Sequence, residues 1–397
     1  MRALRHNLLV KVILAILLGV ALGNVLPKFL LRLIATFHGL FSELLSFLIP
    51  LIILGLIVPS IAKLGGTAGK LLLSTIGIAY TSTLISGFST YFISMSFFPK
   101  ILANQTATFA TIDESIGIDP FFSLDFPPLF GVMSALVFAF LLGMALSKIP
   151  NTTLEKVTVD FEAVIVYLIE KLIIPLLPYF IFSIFIEMTY SGQVSSVLSV
   201  FLKIIGVIFA MHIGLLLFQY IIAGAMTKQN PFRLIYGMLP AYFTALGTQS
   251  SAATIPVTLR EVKKLGVEER IANFTVPLCA TMHLAGSILK IVACVIAIML
   301  LNGYEIDFLT MAGFIFMLGI AMVAAPGVPG GAIMAAIGII ASMLGFGAED
   351  QALMIALYIA MDSFGTACNV TGDGALTIII DRIFRNSKKL DTAQVEL

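Results

Sequence analysis

The chain has 397 residues, of which 59% are hydrophobic and 11% charged, with a net charge of +1 and a mean hydropathy of +1.06. Soluble domains carry roughly 25% charged residues, so an ordinary cytosolic enzyme is excluded, and near-neutral charge leaves no electrostatic footprint for nucleic acid. Cys279, Cys294 and Cys368 lie inside apolar runs without CxxC or Cys/His metal spacing. The composition describes an integral membrane protein, best counted in crossings of about 20 apolar residues each.

The first apolar run, residues 8–27, follows Arg2 and Arg5 and has the outline of a signal peptide. Another long run follows at once, so a retained first span is expected. Further runs fall at 36–62, 71–98, 127–147, 157–189, 196–226, 271–302 and 351–381. They read as eight transmembrane helices, an all-α fold, because lipid offers exposed backbone groups no partner and the runs lack the alternation of barrel strands. Basic residues cluster at Lys63 and Lys70, Lys148 and Lys156, Lys228 and Arg233, Arg260 to Arg270, and Arg382 to Lys389. Acidic residues cluster in the alternate connections, at Asp113 to Asp125, Glu305 and Asp307, and Glu349 and Asp350. The positive-inside rule then makes the basic set and both termini cytoplasmic.

Charge parity exposes two runs of another kind. Residues 228–233 and 260–270 are both basic, although about one span of apolar chain separates them around ALGTQSSAATIP. A re-entrant hairpin at about 232–262, entering from the cytoplasm, satisfies both clusters. The acidic pairs at 305–307 and 349–350 likewise flank a run broken by AAPGVPGGA, which predicts an opposed hairpin at about 308–347. Non-helical backbone at membrane depth persists only when it is buried in protein or lines a cavity. Two opposed hairpins therefore predict inverted repeats around a solute pathway at the midplane.

Ionisable residues within spans mark functional positions. Asp362, Thr366, Asn369 and Asp373 share one helix face, and their oxygens suit a hard cation together with a substrate ammonium. In ATMHLAGSILKIVA, the spacing predicts one helix face for His283, Ser287 and Lys290. Lys290 lies too deep to snorkel and is expected to pair with Asp362 or Asp373. The first hairpin's tip, Thr248 with Gln249, Ser250, Ser251 and the following N–H groups, suits a carboxylate. The second tip, Gly327 to Gly331, suits a gate that works through backbone contacts.

Four motifs in chain order, TALGTQSSAATIPVTL, FTVPLCATMHLAGS, VPGGAIMAAIG and DSFGTACNVTGD, resemble those of the dicarboxylate/amino acid:cation symporter family. The resemblance implies a homotrimer in the cell membrane that transports solute and is not an enzyme. It implies a scaffold of 1–70 and 99–195 and a mobile transport domain of 71–98 and 196–397, which moves as an elevator. It assigns Asp362 to the substrate α-ammonium, Thr366 and Asn369 to further substrate contacts, Ser251 and nearby amides to the α-carboxylate, and Val328 and Gly330 to the gate. Asp373 corresponds to a sodium-binding carboxylate, with backbone oxygens of Asn369 and Cys279, and Thr281 to the backbone of another sodium site. Na+ or H+ is the implied coupling ion, with no other cofactor.

The departures from the family pattern bear on the substrate. Gly365 stands where acidic-substrate members carry an arginine, and Gln249 replaces another arginine, so the guanidinium fork for a second carboxylate is missing. A small neutral amino acid is therefore the first expectation. A dicarboxylate or acidic amino acid, with Lys290 as the point charge and with altered sodium coupling, is the alternative. His283, Leu284 and Ala285 replace an asparagine–methionine–aspartate signature and remove two side chains of a third, deeper sodium site, leaving Thr81 and Ser82. Fewer sodium ions, proton coupling through His283 and a tethered cation in Lys290 all remain compatible with these residues. A passive channel is the competing class. An intramembrane hydrolase using Ser250 or Ser251 has no supporting nucleophile motif.

Overall fold

A computed structural model describes residues 8–64, 70–102, 118–149, 152–192, 194–326 and 329–395, and every regular element among them is helical. The first half contains α1 (Leu8–Leu22), α2 (Lys28–Leu64), α3 (Lys70–Leu102), α4 (Val132–Lys148) and α5 (Thr153–Leu168). A π-helical turn at Ile169–Ile173 carries α5 into α6 (Ile174–Tyr190), and α7 (Val194–Thr227) follows. Among the described residues, five helical runs are long and apolar enough to cross a membrane. They are Lys28–Pro59, Lys70–Leu102, Thr153–Tyr190, Phe201–Thr227 and Glu269–Leu301; a sixth pair, Ala348–Ala360 with Asp362–Arg385, is bent by 61°. Among the described residues, α1 has 15 residues and α4 has 17 at the positions of the first and fourth expected spans.

Both predicted interruptions are helical hairpins. In the first, α8 (Pro231–Thr248) folds back on α9 (Ser251–Lys264). Asn230 caps the start of α8 by accepting from the N–H groups of Phe232 and Arg233. Gln249 ends α8 in the left-handed region at φ 54°, and the Ser250 hydroxyl accepts from the N–H of Ala253 to start α9. The polar TQSS run thus stops one helix and caps the next. In the second hairpin, α12 (Phe308–Ala324) packs on α13 (Gly331–Leu344). Gly330 turns the tip at φ 74°, a conformation in which a Cβ would be strained. Gly327 and Val328 lie outside the described residues. Asp307 caps α12 by accepting from the N–H and hydroxyl of Thr310, and the Thr310 N–H is the main cause holding its carboxyl below the ordinary value.

The seventh and eighth spans are each broken. The seventh consists of α10 (Glu269–Met282) and α11 (Ala285–Leu301), and the eighth of α14 (Ala348–Ala360) and α15 (Asp362–Val395). The expectation of a single helix face for His283, Ser287 and Lys290 is therefore corrected. His283 is the extended residue that ends α10, at φ −105° and ψ 90°, whereas Ser287 and Lys290 belong to α11. The i, i+4, i+7 spacing is there, but the backbone turns away between its first and second members. Asp362, Thr366, Asn369 and Asp373 do share one helix, α15.

Helices α1, α2, α4, α5 and α6 pack mainly on one another, through α2 on α4 and α5 and through α1 on α6. Helix α3 packs on α11, and α15 packs on α7, α8, α10 and α11. The two sets meet where α12 and α13 touch α2 and where α14 touches α1 and α6. Small residues bring the helices close, which matters in lipid because packing replaces the hydrophobic effect as the driving force. On α1, a Cβ built at Gly19 would stand 2.7 Å from the Phe185 Cβ and 3.0 Å from the Phe182 carbonyl oxygen. Gly23, one turn on, meets Thr189 in the same way. Gly19→Leu is expected to push α1 off α6 at a cost of about 1–3 kcal/mol. The check is a lower melting temperature in detergent; an unchanged one rejects this packing.

Candidate functional site

Four interruptions converge: the two hairpin tips, the His283–Leu284 break and the Met361 break. At their centre Asp362 opens α15, where unpaired N–H groups favour an anion. Its Oδ1 accepts from Lys290 Nζ at 3.0 Å, and its Oδ2 accepts from the Gly330 N–H at 2.8 Å. Lys290 is wholly buried and Asp362 is 4% exposed. The Lys290 ammonium also lies 3.6 Å from the centroid of the Tyr358 ring, a desolvated cation–π contact. The Tyr358 hydroxyl donates to Ser287 Oγ at 3.0 Å.

Gly365 explains how Lys290 reaches this place. A Cβ at residue 365 would stand 2.5 Å from Lys290 Nζ and 2.9 Å from its Cδ. The lysine therefore occupies volume that any side chain on 365 would need. Of the two acids expected as partners for Lys290, the structure selects Asp362.

Asp373, further along α15, has its own donor. Its Oδ1 lies 2.9 Å from His283 Nδ1, with both side chains buried. A proton on Nδ1 leaves Nε2 to accept from the Ser82 hydroxyl at 3.1 Å, and Gln219 Nε2 donates to that hydroxyl at 3.1 Å. Gly372 leaves room for this arrangement, since a Cβ there would lie 2.7 Å from Gln219 Oε1 and 3.0 Å from His283 Cε1. The oxygens that the family pattern gives to a sodium ion thus already accept protein hydrogens: Asp373 Oδ1 from His283, and the Cys279 carbonyl from the His283 N–H at 2.8 Å. A cation at Asp373 would share this carboxylate with the His283 imidazole.

The other expected residues divide. Asn369 Oδ1 accepts from the N–H groups of Gly286 and Ser287 at 2.7 and 3.3 Å, and its Nδ2 donates to Ser287 Oγ at 3.0 Å. Its amide therefore caps the first turn of α11. Gln249 Nε2 donates to Ser363 Oγ at 2.7 Å and ties the first hairpin's tip to the start of α15. Ser251 and Thr366 are buried, while Ser250 is half-buried and acts as a helix cap. Thr281 is exposed, and its hydroxyl turns back to the Leu278 carbonyl at 2.9 Å. Val328 lies outside the described residues. Sequence reasoning missed Tyr358, Gln219 and Ser363; Gln219, a lone amide within LLLFQYIIAG, carried the readable signal.

Residues 8–383 match the Sodium:dicarboxylate symporter family. The chain belongs to this family. Excitatory amino acid transporter 4 of Mus musculus is 34% identical over 172 residues, which cover 43% of this chain and 30% of that protein. Excitatory amino acid transporter 2 of Homo sapiens is 28% identical over 280 residues, covering 68% of this chain and 48% of that protein. Neutral amino acid transporter B(0) of Mus musculus is 31% identical over 175 residues, covering 43% and 32%. The chain thus spans less than half the length of each of these relatives. The family, as named, is one of membrane transporters and not of enzymes, and it is the family read from the four motifs.

Burial makes the Lys290–Asp362 pair costly to break from one side. Lys290→Met is expected to destabilise the protein by about 3–5 kcal/mol because it strands a buried carboxylate. Lys290→Met combined with Asp362→Asn should recover most of that loss. Melting of the two single variants and the double variant in detergent checks this; additive losses in the double variant would refute the coupling.

Proposed function

We propose that the chain is a secondary active symporter that carries a small amino acid across the cell membrane together with a cation. The observation that carries this reading is the buried Lys290–Asp362 ion pair. A ligand opens such a pair at low cost only if it brings both signs, an ammonium for Asp362 and a carboxylate for Lys290. An amino acid zwitterion brings both. A dicarboxylate without an amino group leaves Asp362 facing a like charge.

A small neutral amino acid remains the first reading, because the guanidinium fork is absent. An acidic amino acid is the second, and it is favoured by one observation: the Lys290 ammonium fills the volume beside Gly365. Relatives named for excitatory and for neutral amino acids support the class and leave both readings in place. In the proposed site, Asp362 takes the ammonium, Thr366 and Ser251 flank the substrate, and the α-carboxylate of a neutral amino acid is shared by the first hairpin's amides and the displaced Lys290, whereas an acidic one offers Lys290 its second carboxylate. Gly330 and the second hairpin's tip form the gate. The coupling ion is Na+, which gives the family its name, with Asp373 and the backbone oxygens of Asn369, Cys279 and Thr281 as its proposed ligands; proton coupling through His283 is the variant. The proposed assembly is a homotrimer in which 71–98 and 196–397 move against 1–70 and 99–195.

The test is uptake of labelled L-serine, L-threonine, L-alanine, L-aspartate and succinate into proteoliposomes under an inward Na+ or proton gradient. Gradient-driven accumulation of an amino acid is expected, and Asp362→Asn should lower it on the order of 30-fold or more. Equilibration without any gradient requirement would establish a passive channel instead, and accumulation of succinate alone would overturn the amino acid reading.

A further inference from the structure

Asp362 is fully engaged by the chain itself. One oxygen accepts from Lys290 on α11, and the other accepts from the N–H of Gly330 at the second hairpin's tip. The two donors come from separate elements, and both reach the carboxylate directly, at 3.0 and 2.8 Å. The hairpin tip is therefore bonded to a site whose charge is already balanced. We propose that Lys290 stands in for the substrate's ammonium in the empty carrier, so that the empty site can close and cross the membrane. This gives Lys290 a role in net transport that is separate from recognition of the substrate, and it rests on the amino acid symport reading above.

The argument is electrostatic. A carrier that binds a substrate ammonium through a carboxylate must return with that carboxylate empty. An unpaired carboxylate held away from water costs several kcal/mol, so a carrier whose empty carboxylate gains neither a substitute cation nor a proton is confined to exchanging one loaded site for another. The Lys290 stem enters from α11 and lies against the backbone of Gly365. Its ammonium rests on the Tyr358 ring, which offers a second favourable surface beside the carboxylate. When the substrate's ammonium takes Asp362, a substrate carboxylate receives the displaced lysine. When the substrate leaves, Lys290 returns and Gly330 closes on the second oxygen. Lys290 is on this account a positioning residue for the empty state.

The experiment compares two fluxes in the same proteoliposomes, with labelled L-serine and L-aspartate as probes. Net uptake into vesicles without internal substrate requires return of the empty carrier, whereas exchange into vesicles preloaded with the same amino acid does not. In Lys290→Met the ratio of net uptake to exchange is expected to fall about tenfold or more relative to the unmodified protein. Gly365→Ala keeps both charges but places a Cβ where the ammonium stands, and it should shift the ratio in the same direction. This second variant decides the question if Lys290→Met does not fold. A ratio equal to that of the unmodified protein in either folded variant, including one reached by a parallel loss of both fluxes, overturns the inference. Exchange without net uptake in the unmodified protein overturns it as well. Absence of exchange in the unmodified protein counts instead against the symport reading.

Discussion

A carboxylate deep within a bilayer must be given donors by the protein, and the arrangement around Asp362 follows from that requirement. Solvation by water is lost there, and a bare charge costs several kcal/mol even after local relaxation. An unbroken helix has few free N–H groups to offer, since each is committed to a carbonyl four residues back. Breaking the eighth span at Met361 places Asp362 at a helix start. Breaking the second hairpin at Gly330 supplies one N–H, and the glycine at 365 admits an ammonium from another helix. The break at Gly330 thus supplies a donor to this carboxylate, and Gly365 supplies room for another.

The second buried acid obeys the same rule with different parts. Asp373 lies about three turns along α15 from Asp362, roughly 16 Å away. It is served by the imidazole of the residue that breaks the seventh span, backed by Ser82 from α3 and Gln219 from α7. The break exposes the first N–H groups of α11, and Asn369, between the two acids on α15, caps them. On the proposed reading, the substrate position and the cation position are thus strung along one rigid helix. Asn369 joins them through the broken span rather than through a ligand of its own.

Much of this was legible in the sequence. The first hairpin was readable because two basic clusters flank one span's length and because TQSS carries cap chemistry. The buried acids and Lys290 were readable because charges are rare at depth. The break at His283 was not, since ATMHLAGS contains no proline at that point and its polar spacing fits an uninterrupted helix; the break is stabilised by Asp373 and Ser82, which come from distant parts of the chain. Gly365 could be read only as a missing arginine. That its empty volume is filled by a side chain 75 positions earlier is a fact of packing, invisible to local pattern.

The choice of lysine over arginine at this place has a physical meaning of its own. An arginine fork holds a carboxylate through paired, planar hydrogen bonds in one fixed orientation. Lysine is a compact charge on a four-carbon stem, able to change partners by rotating about single bonds. Placed on α11 rather than on α15, the charge also belongs to a different helix from the carboxylate it neutralises, so the pair links two elements and can open without unwinding either. The Tyr358 ring beneath it lowers the cost of the interval between partners. A site that must alternate between being filled by a substrate and being filled by itself calls for a cation of this kind, and Lys290, lying against Gly365, provides it.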